Sequence, residues 1–69
     1  MENNIRSERA RLNMTQAELA ERLNVDKNTV YAWETGKRSI PSKYAVLMQG
    51  IFLCSIDYLF GVTEERTSR

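Results

Sequence analysis

Apolar residues recur at helical spacing along most of this chain, and short polar breaks divide the pattern into segments. The strongest pattern is QAELAERLNVDKNTVYAWE at residues 16–34. Its apolar positions, spaced as on one face of an α-helix, are Leu19, Leu23, Val30 and Trp33. The LNVD stretch interrupts this face with Asn and Asp, which favour turns and helix ends over helix interiors. The pattern therefore predicts two short helices joined by a tight turn.

The rest of the pattern predicts three further helices, and no run alternates strictly between apolar and polar residues. The five predicted helices span about residues 3–12, 16–23, 27–35, 42–53 and 56–60. Thr15 and Glu18 form a capping-box pattern before the second helix, and Asp26 can cap the third. Asn24 suits the left-handed conformation that ends a helix, as Gly36 does after the third. We therefore predict an all-α, compact five-helix domain.

A single domain is the most that 69 residues allow, and an apolar fraction of 42% is typical of globular proteins. The predicted domain covers residues 1–62, and a flexible polar tail is expected at residues 63–69. Ile5 and Leu12 share one face of the first helix. The inward spacing of Trp33 favours a place in the core over a role as a stacking platform.

Composition argues against several classes of function. One cysteine, Cys54, cannot form an internal disulfide, and without any histidine a zinc site is disfavoured. The start MENNIRSERAR lacks the apolar core of a signal peptide, and YAVLMQGIFLCSI is too short to span a bilayer. No glycine loop suited to phosphate is present, and helix caps or solvated charges explain the acidic residues. We expect no enzymatic activity, no cofactor, no small-molecule ligand, no membrane and a cytoplasmic location.

The outward side of the predicted third helix carries Lys27, Asn28, Tyr31, Ala32 and Thr35. A merely solvated helix is the simplest alternative, but this side lacks the Glu–Lys pairs that such helices often carry. Lysine can bind guanine acceptors, asparagine can pair with adenine, and Ala32 can contact a thymine methyl group. A helix about 10–12 Å wide also fits a major groove roughly 12 Å wide. These features predict that the helix contacts base edges of double-stranded DNA.

The segment TQAELAERLNVDKNTVYAWETGKRSIP resembles the helix-turn-helix of the lambda-repressor-like family, the group of Cro, the phage repressors and XRE-like proteins. The resemblance runs from Arg9 to Pro41 without a gap and continues more loosely to CSIDYLFG. It implies five short helices, of which the third lies in the major groove of DNA.

This sequence departs from the family pattern at three places. Asn24 stands where the family usually has glycine, and Ala32 replaces a longer polar residue. One residue more than the usual spacing separates Pro41 from the segment that starts at Ser55. The departures concern the turn, the base-contacting face and the end of the fourth helix.

The resemblance also implies roles for individual residues. Base readout is implied for Lys27, Asn28, Tyr31 and Ala32. Contact with the sugar-phosphate backbone is implied for Thr15, Gln16, Thr29, Thr35, Gly36, Lys37, Arg38 and Lys43. Arg9 and Glu34 match a structural pair that bridges the first and third helices.

Together these observations indicate a sequence-specific transcriptional regulator, a repressor that binds a near-palindromic operator as a homodimer. It would be prokaryotic or phage-encoded and associated with the nucleoid. Four apolar residues near the C-terminal end are expected to lie mostly in the core, namely Phe52, Leu53, Tyr58 and Phe60. They exceed what one small face needs, and an apolar remainder there would form a self-association patch. The alternative is a protein-interaction module, antitoxin- or adaptor-like, built on the same fold. The polar and basic outward side of the third helix favours DNA.

Overall fold

The computed structural model describes residues 3–66, which form five α-helices. The helices are α1 Ile5–Arg11, α2 Gln16–Leu23, α3 Lys27–Thr35, α4 Ser42–Phe52 and α5 Ile56–Leu59. The predicted all-α architecture is therefore confirmed. The bounds of α2 and α3 are those that the sequence predicts, and the other three helices are shorter than predicted by one to three residues.

The start of α2 is determined by the predicted capping box. The backbone N–H of Glu18 donates to Thr15 Oγ1 at 3.0 Å, and the backbone N–H of Thr15 donates to Glu18 Oε1 at 2.8 Å. The hydrogen bond from the Thr15 N–H, helped by the Thr15 hydroxyl, lowers the pKa of the Glu18 carboxyl below its ordinary value. Two backbone donors at the helix end are thus satisfied locally, so the helix begins after Thr15.

The turn between α2 and α3 has the conformation that the sequence predicts. Asn24 adopts the left-handed region at φ 57° and ψ 45°, which ends α2. The backbone N–H of Val25 then donates to the carbonyl of Ala20 at 2.9 Å. Asp26 caps α3, because its Oδ1 accepts from the backbone N–H of Asn28 at 2.8 Å. Three residues are therefore enough to reverse the chain between the two helices.

All five helices contribute to one apolar core. Its fully or nearly fully buried members are Ile5, Leu19, Ala20, Leu23, Val30, Trp33, Ala45, Met48, Phe52, Cys54 and Leu59. Trp33 lies in this core, as predicted, with its ring centroid 5.1 Å from that of Tyr44. Leu12 is different, since it lies just past the end of α1 and is 39% exposed. The core therefore takes Ile5 from α1 but not Leu12.

A buried carboxylate, Glu8, joins α1 to the C-terminal part of the described chain. Only 1% of Glu8 is exposed. Arg66 donates to its two carboxylate oxygens at 2.7 and 3.0 Å, and Arg11 donates to Oε1 at 3.1 Å. Both arginines also donate to the carbonyl of Phe52 at the end of α4. The charge of Glu8 and this terminal carbonyl are thus satisfied by the same two side chains.

The first part of the predicted tail, residues 63–66, is described by the structure, and Arg66 contacts the rest of the domain. The carbonyl of Arg66 accepts from the backbone N–H of Ser55 at 2.7 Å, in addition to the side-chain contacts with Glu8. Packed structure therefore continues to Arg66. The remainder of the predicted tail, residues 67–69, lies outside the described residues.

The Glu8 site predicts a specific dependence of stability on pH. Hydrogen bonds from Arg66 lower the pKa of Glu8 against the opposing effect of burial, and Arg11 lowers it further. A carboxyl with a lowered pKa in the folded state stabilises the fold above its unfolded pKa, and this stability is lost as pH falls through the folded pKa. We therefore expect Glu8→Gln to be less stable than the wild type at pH 7 and to lose less stability below about pH 5.

Urea unfolding, followed by the fluorescence of the buried Trp33 at a series of pH values, measures this difference. Glu21→Gln is the matched control, because Glu21 is an exposed carboxyl on α2. The same acid dependence in Glu8→Gln and the wild type would show that the buried carboxylate does not contribute to it.

Candidate nucleic-acid interface

The helix α3 has one buried and one exposed side. Val30 and Trp33 are buried in the core. On the opposite side Lys27 and Asn28 are exposed, and Tyr31, one turn further on, is 49% exposed. The packing of Val30 and Trp33 therefore orients α3 so that these three polar side chains face solvent together.

The other predicted contact residues on α3 are less available. Thr29 and Ala32 are half-buried. Thr35 is exposed, but its hydroxyl lies 3.0 Å from the carbonyl of Tyr31 and 3.3 Å from that of Ala32, to which it donates. A ligand that needs this donor must displace an existing hydrogen bond, so Thr35 is better placed to accept than to donate.

Three side chains form a hydrogen-bonded network where α1, α2 and α3 meet. Arg9 binds Glu34 through two hydrogen bonds, Nε to Oε2 at 2.6 Å and Nη2 to Oε1 at 3.0 Å. Gln16 Nε2 also donates to Glu34 Oε1, at 3.1 Å. The side chains of Arg9 and Glu34 are only 13% and 6% exposed. The bidentate pair joins the C-terminal end of α3 to α1, and the hydrogen bond from Gln16 joins it to α2.

The network changes what Gln16 can offer to a phosphate group. One of the two N–H donors of its side-chain amide is bound to Glu34, so only the other N–H remains for a phosphate oxygen. The first N–H groups of a helix have no partner within the helix, and those of Gln16 and Ala17 lie at the start of α2. An open cleft of about 620 Å³ lies at this helix end, with Lys27 on its border. The first backbone N–H groups of α2 and the charge of Lys27 therefore favour an anion at the start of this helix.

The loop after α3 carries two of the predicted backbone-contacting cations. Gly36 has φ 82°, a left-handed conformation that glycine adopts without strain and that ends α3. Lys37 and Arg38 follow and are exposed, although the backbone N–H of Arg38 donates to the carbonyl of Ala32 at 3.2 Å. Lys43 lies further on, with Nζ 5.1 Å from the ring centroid of Tyr44. The cationic side chains, more than the loop amides, therefore make this region attractive to an anion.

Sequence reasoning missed Arg6. This exposed residue of α1 borders a cleft of about 350 Å³ together with Tyr31, Thr35 and the network of Arg9 and Glu34. Arg6 precedes Arg9 by three positions, a spacing that places both residues on one side of a helix. That spacing, combined with the predicted contact between Arg9 and α3, is the signal that could have identified Arg6.

Within the described part of the chain, the structure does not support a reactive thiol, a metal site or a membrane-spanning helix. Cys54 is buried, and burial raises the pKa of its thiol, which keeps it protonated. Residues 3–66 contain no group of three or more His, Cys, Asp or Glu side chains arranged to hold a metal ion. None of the helices described is sufficiently long and apolar to traverse a lipid bilayer.

The tight turn between two short helices and the exposed polar side of the second define a helix-turn-helix protein. The family model for helix-turn-helix proteins matches residues 5–59, so the chain belongs to this family. The resemblance to lambda-repressor-like, XRE-like proteins is thereby confirmed. The chain is 37% identical over 65 residues to an uncharacterized HTH-type transcriptional regulator of Archaeoglobus fulgidus, over 94% of this chain and 92% of the relative. No solved structure matches the chain with significance.

Proposed function

We propose that this protein is a sequence-specific DNA-binding transcriptional regulator that places α3 in the major groove. The observation that carries this proposal is the exposed polar side of α3, formed by Lys27, Asn28 and Tyr31. The core of a protein–protein interface is usually depleted of charged residues, lysine among them, whereas Lys27 opens this side of α3. The family and the name of the archaeal relative support the same function.

Within this function the contact residues divide into two groups. Lys27 suits guanine acceptors, Asn28 suits the two-bond pair with adenine, and Ala32 suits the methyl group of thymine. The exposed cations Lys37 and Arg38, with the first N–H groups of α2, suit phosphates of the flanking strand. The first group would determine sequence preference, and the second would supply affinity that depends on salt.

The proposed output is repression by a homodimer on a near-palindromic operator. One short helix contacts few base pairs, and a single small module buries little surface on DNA. Two copies with their α3 helices about 34 Å apart would occupy successive major grooves on one side of the duplex. Occupation of a promoter by such a dimer blocks access of RNA polymerase without a further domain.

The exposed side of α4 is the surface we propose for dimerisation. Val46 and Leu47 are 55% and 47% exposed, and Leu53, just after the helix, is 75% exposed. Between residues 44 and 53 the sequence contains no charged residue, so two identical copies can meet there without like-charge repulsion. A Cβ added to Gly50 would meet no atom within 4 Å, which leaves room for close approach of a second helix. These features fit a second copy of this chain.

Leu53 allows a specific test of the dimer. It combines high exposure with a left-handed backbone, φ 55°, which asparagine adopts more readily than leucine. We therefore expect Leu53→Asn to fold as well as the wild type but to shift the monomer–dimer equilibrium toward monomer, as measured by sedimentation equilibrium. Val62→Asn, at an exposed apolar residue after α5, should leave the equilibrium unchanged. Equal association of both variants and the wild type would contradict this choice of surface.

Selection of bound sequences from a pool of random DNA duplexes tests the function itself. We expect enrichment of a consensus with two inverted half-sites whose centres lie one helical turn apart. A consensus with a single half-site would retain DNA binding but contradict the dimer. If no sequence is enriched and affinity for duplex DNA is absent at low salt, the protein-interaction module becomes the better proposal.

A further inference from the structure

We propose that Arg6 and Tyr31 form a binding site for a phosphodiester of the DNA backbone at the junction of α1 and α3. This inference rests on the proposed function and adds a backbone contact from α1. The two residues border the same cleft of about 350 Å³, and Thr35 lies one turn beyond Tyr31 on α3. The site therefore combines an exposed guanidinium with an exposed phenolic hydroxyl.

The charge balance of the cleft favours an anion. Glu34 is the acidic residue on its border, but it accepts hydrogen bonds from Arg9 Nε, Arg9 Nη2 and Gln16 Nε2. Arg9 compensates the charge of Glu34, and both side chains are largely buried. Within residues 3–66 the ion pairs involve Arg9, Arg11 and Arg66, and none involves Arg6. The uncompensated charge that faces solvent in this cleft is therefore the guanidinium of Arg6.

The chemistry of the two side chains matches the oxygens of a phosphodiester. A guanidinium presents N–H donors in a planar fork that can bind two oxygens of one phosphate. The hydroxyl of Tyr31, which is half exposed, can donate to the same group. Neither arrangement distinguishes one base from another, so this site would contribute affinity and orientation without sequence preference.

The position of the cleft fits a strand that α3 already contacts. Tyr31 follows Lys27 by four residues and so lies one turn further along the exposed side of α3. Thr35, at the end of α3, leads directly into the loop of Lys37 and Arg38. A DNA strand whose phosphates contact that loop can therefore continue past the cleft. In this arrangement α1 would contact the DNA backbone in addition to the start of α2 and the loop.

The test is the salt dependence of binding to the selected operator, measured by fluorescence anisotropy. Each phosphate neutralised adds about 0.9 to the slope of log K against log salt concentration. We expect Arg6→Ala to reduce this slope by about 1 per protomer while the preferred sequence stays the same. Arg6→Lys, which keeps the charge, should restore the slope but bind more weakly than the wild type because it loses the planar fork.

Two further variants make the result decisive. Arg22→Ala removes an exposed arginine from the last turn of α2 and should leave the slope unchanged, whereas Lys37→Ala should reduce it. If Arg6→Ala leaves the slope unchanged while Lys37→Ala reduces it, the Arg6 site is wrong and the proposed function stands. If Arg6→Ala and Arg22→Ala change the slope equally, general charge explains the effect and the site is also wrong. Failure of the wild type to bind DNA would overturn both proposals, and thermal unfolding verifies that each variant is folded.

Discussion

Arg9→Ala is expected to lower the free energy of unfolding by about 3–5 kcal/mol, because it leaves the Glu34 carboxylate buried without its cation. The Glu34 side chain is only 6% exposed, and it loses two charge-assisted hydrogen bonds from Arg9. A domain of this length has a total stability of roughly 3–10 kcal/mol. The expected loss is therefore a large fraction of the total, and Arg9→Ala should unfold at a much lower urea concentration than the wild type. Urea unfolding, followed by the fluorescence of Trp33, measures the change.

A double variant separates the missing charge from the missing packing. Arg9→Met with Glu34→Leu removes both charges, and replacement of a buried ion pair by apolar side chains is often neutral for stability. This double variant should recover much of the stability lost in Arg9→Ala, although Gln16 loses its acceptor on α3. Arg22→Ala, at an exposed position, serves as the single-arginine control. A loss in Arg9→Ala no larger than in Arg22→Ala would show that the pair is not needed for folding.

Asn28→Ala is expected to weaken binding to the selected operator by about 1–3 kcal/mol per half-site, because it removes the side chain proposed to form a two-bond contact with adenine. The fold should be unaffected. Asn28 is exposed, and its backbone N–H, which Asp26 caps, is present in alanine as well. Competition binding between the operator and duplexes changed at single base pairs measures the effect, and preference should relax at one position in each half-site.

The control for this variant is Ser7→Ala, which removes an exposed neutral polar side chain from α1, outside the proposed contact residues and dimer surface. Affinity for duplexes of unrelated sequence should be the same for both variants and the wild type, because nonspecific binding depends on phosphate contacts. Unchanged affinity and unchanged base preference in Asn28→Ala would assign the readout to other residues of α3.

The sequence by itself determined the elements that depend on neighbouring residues. The capping box of Thr15 and Glu18, the left-handed turn at Asn24 and the cap at Asp26 all involve partners within five residues. Such contacts are encoded by residue type and spacing, so they can be predicted without knowledge of the fold. The spacing of apolar residues likewise predicted that Trp33 is buried, and burial of one side of α3 determines which polar residues face solvent.

Only the tertiary structure decided the contacts between residues far apart in the chain. Arg66 binds Glu8 across 58 positions, and Gln16 donates a hydrogen bond to Glu34, 18 positions away. Arg6 and Tyr31 border the same cleft only because the fold brings α1 to the end of α3, where Arg9 binds Glu34. Each of these polar side chains suits several partners. The packing of the helices determines which partner each side chain meets. A buried carboxylate is destabilising unless it is paired, so it binds the donors that the fold places near it.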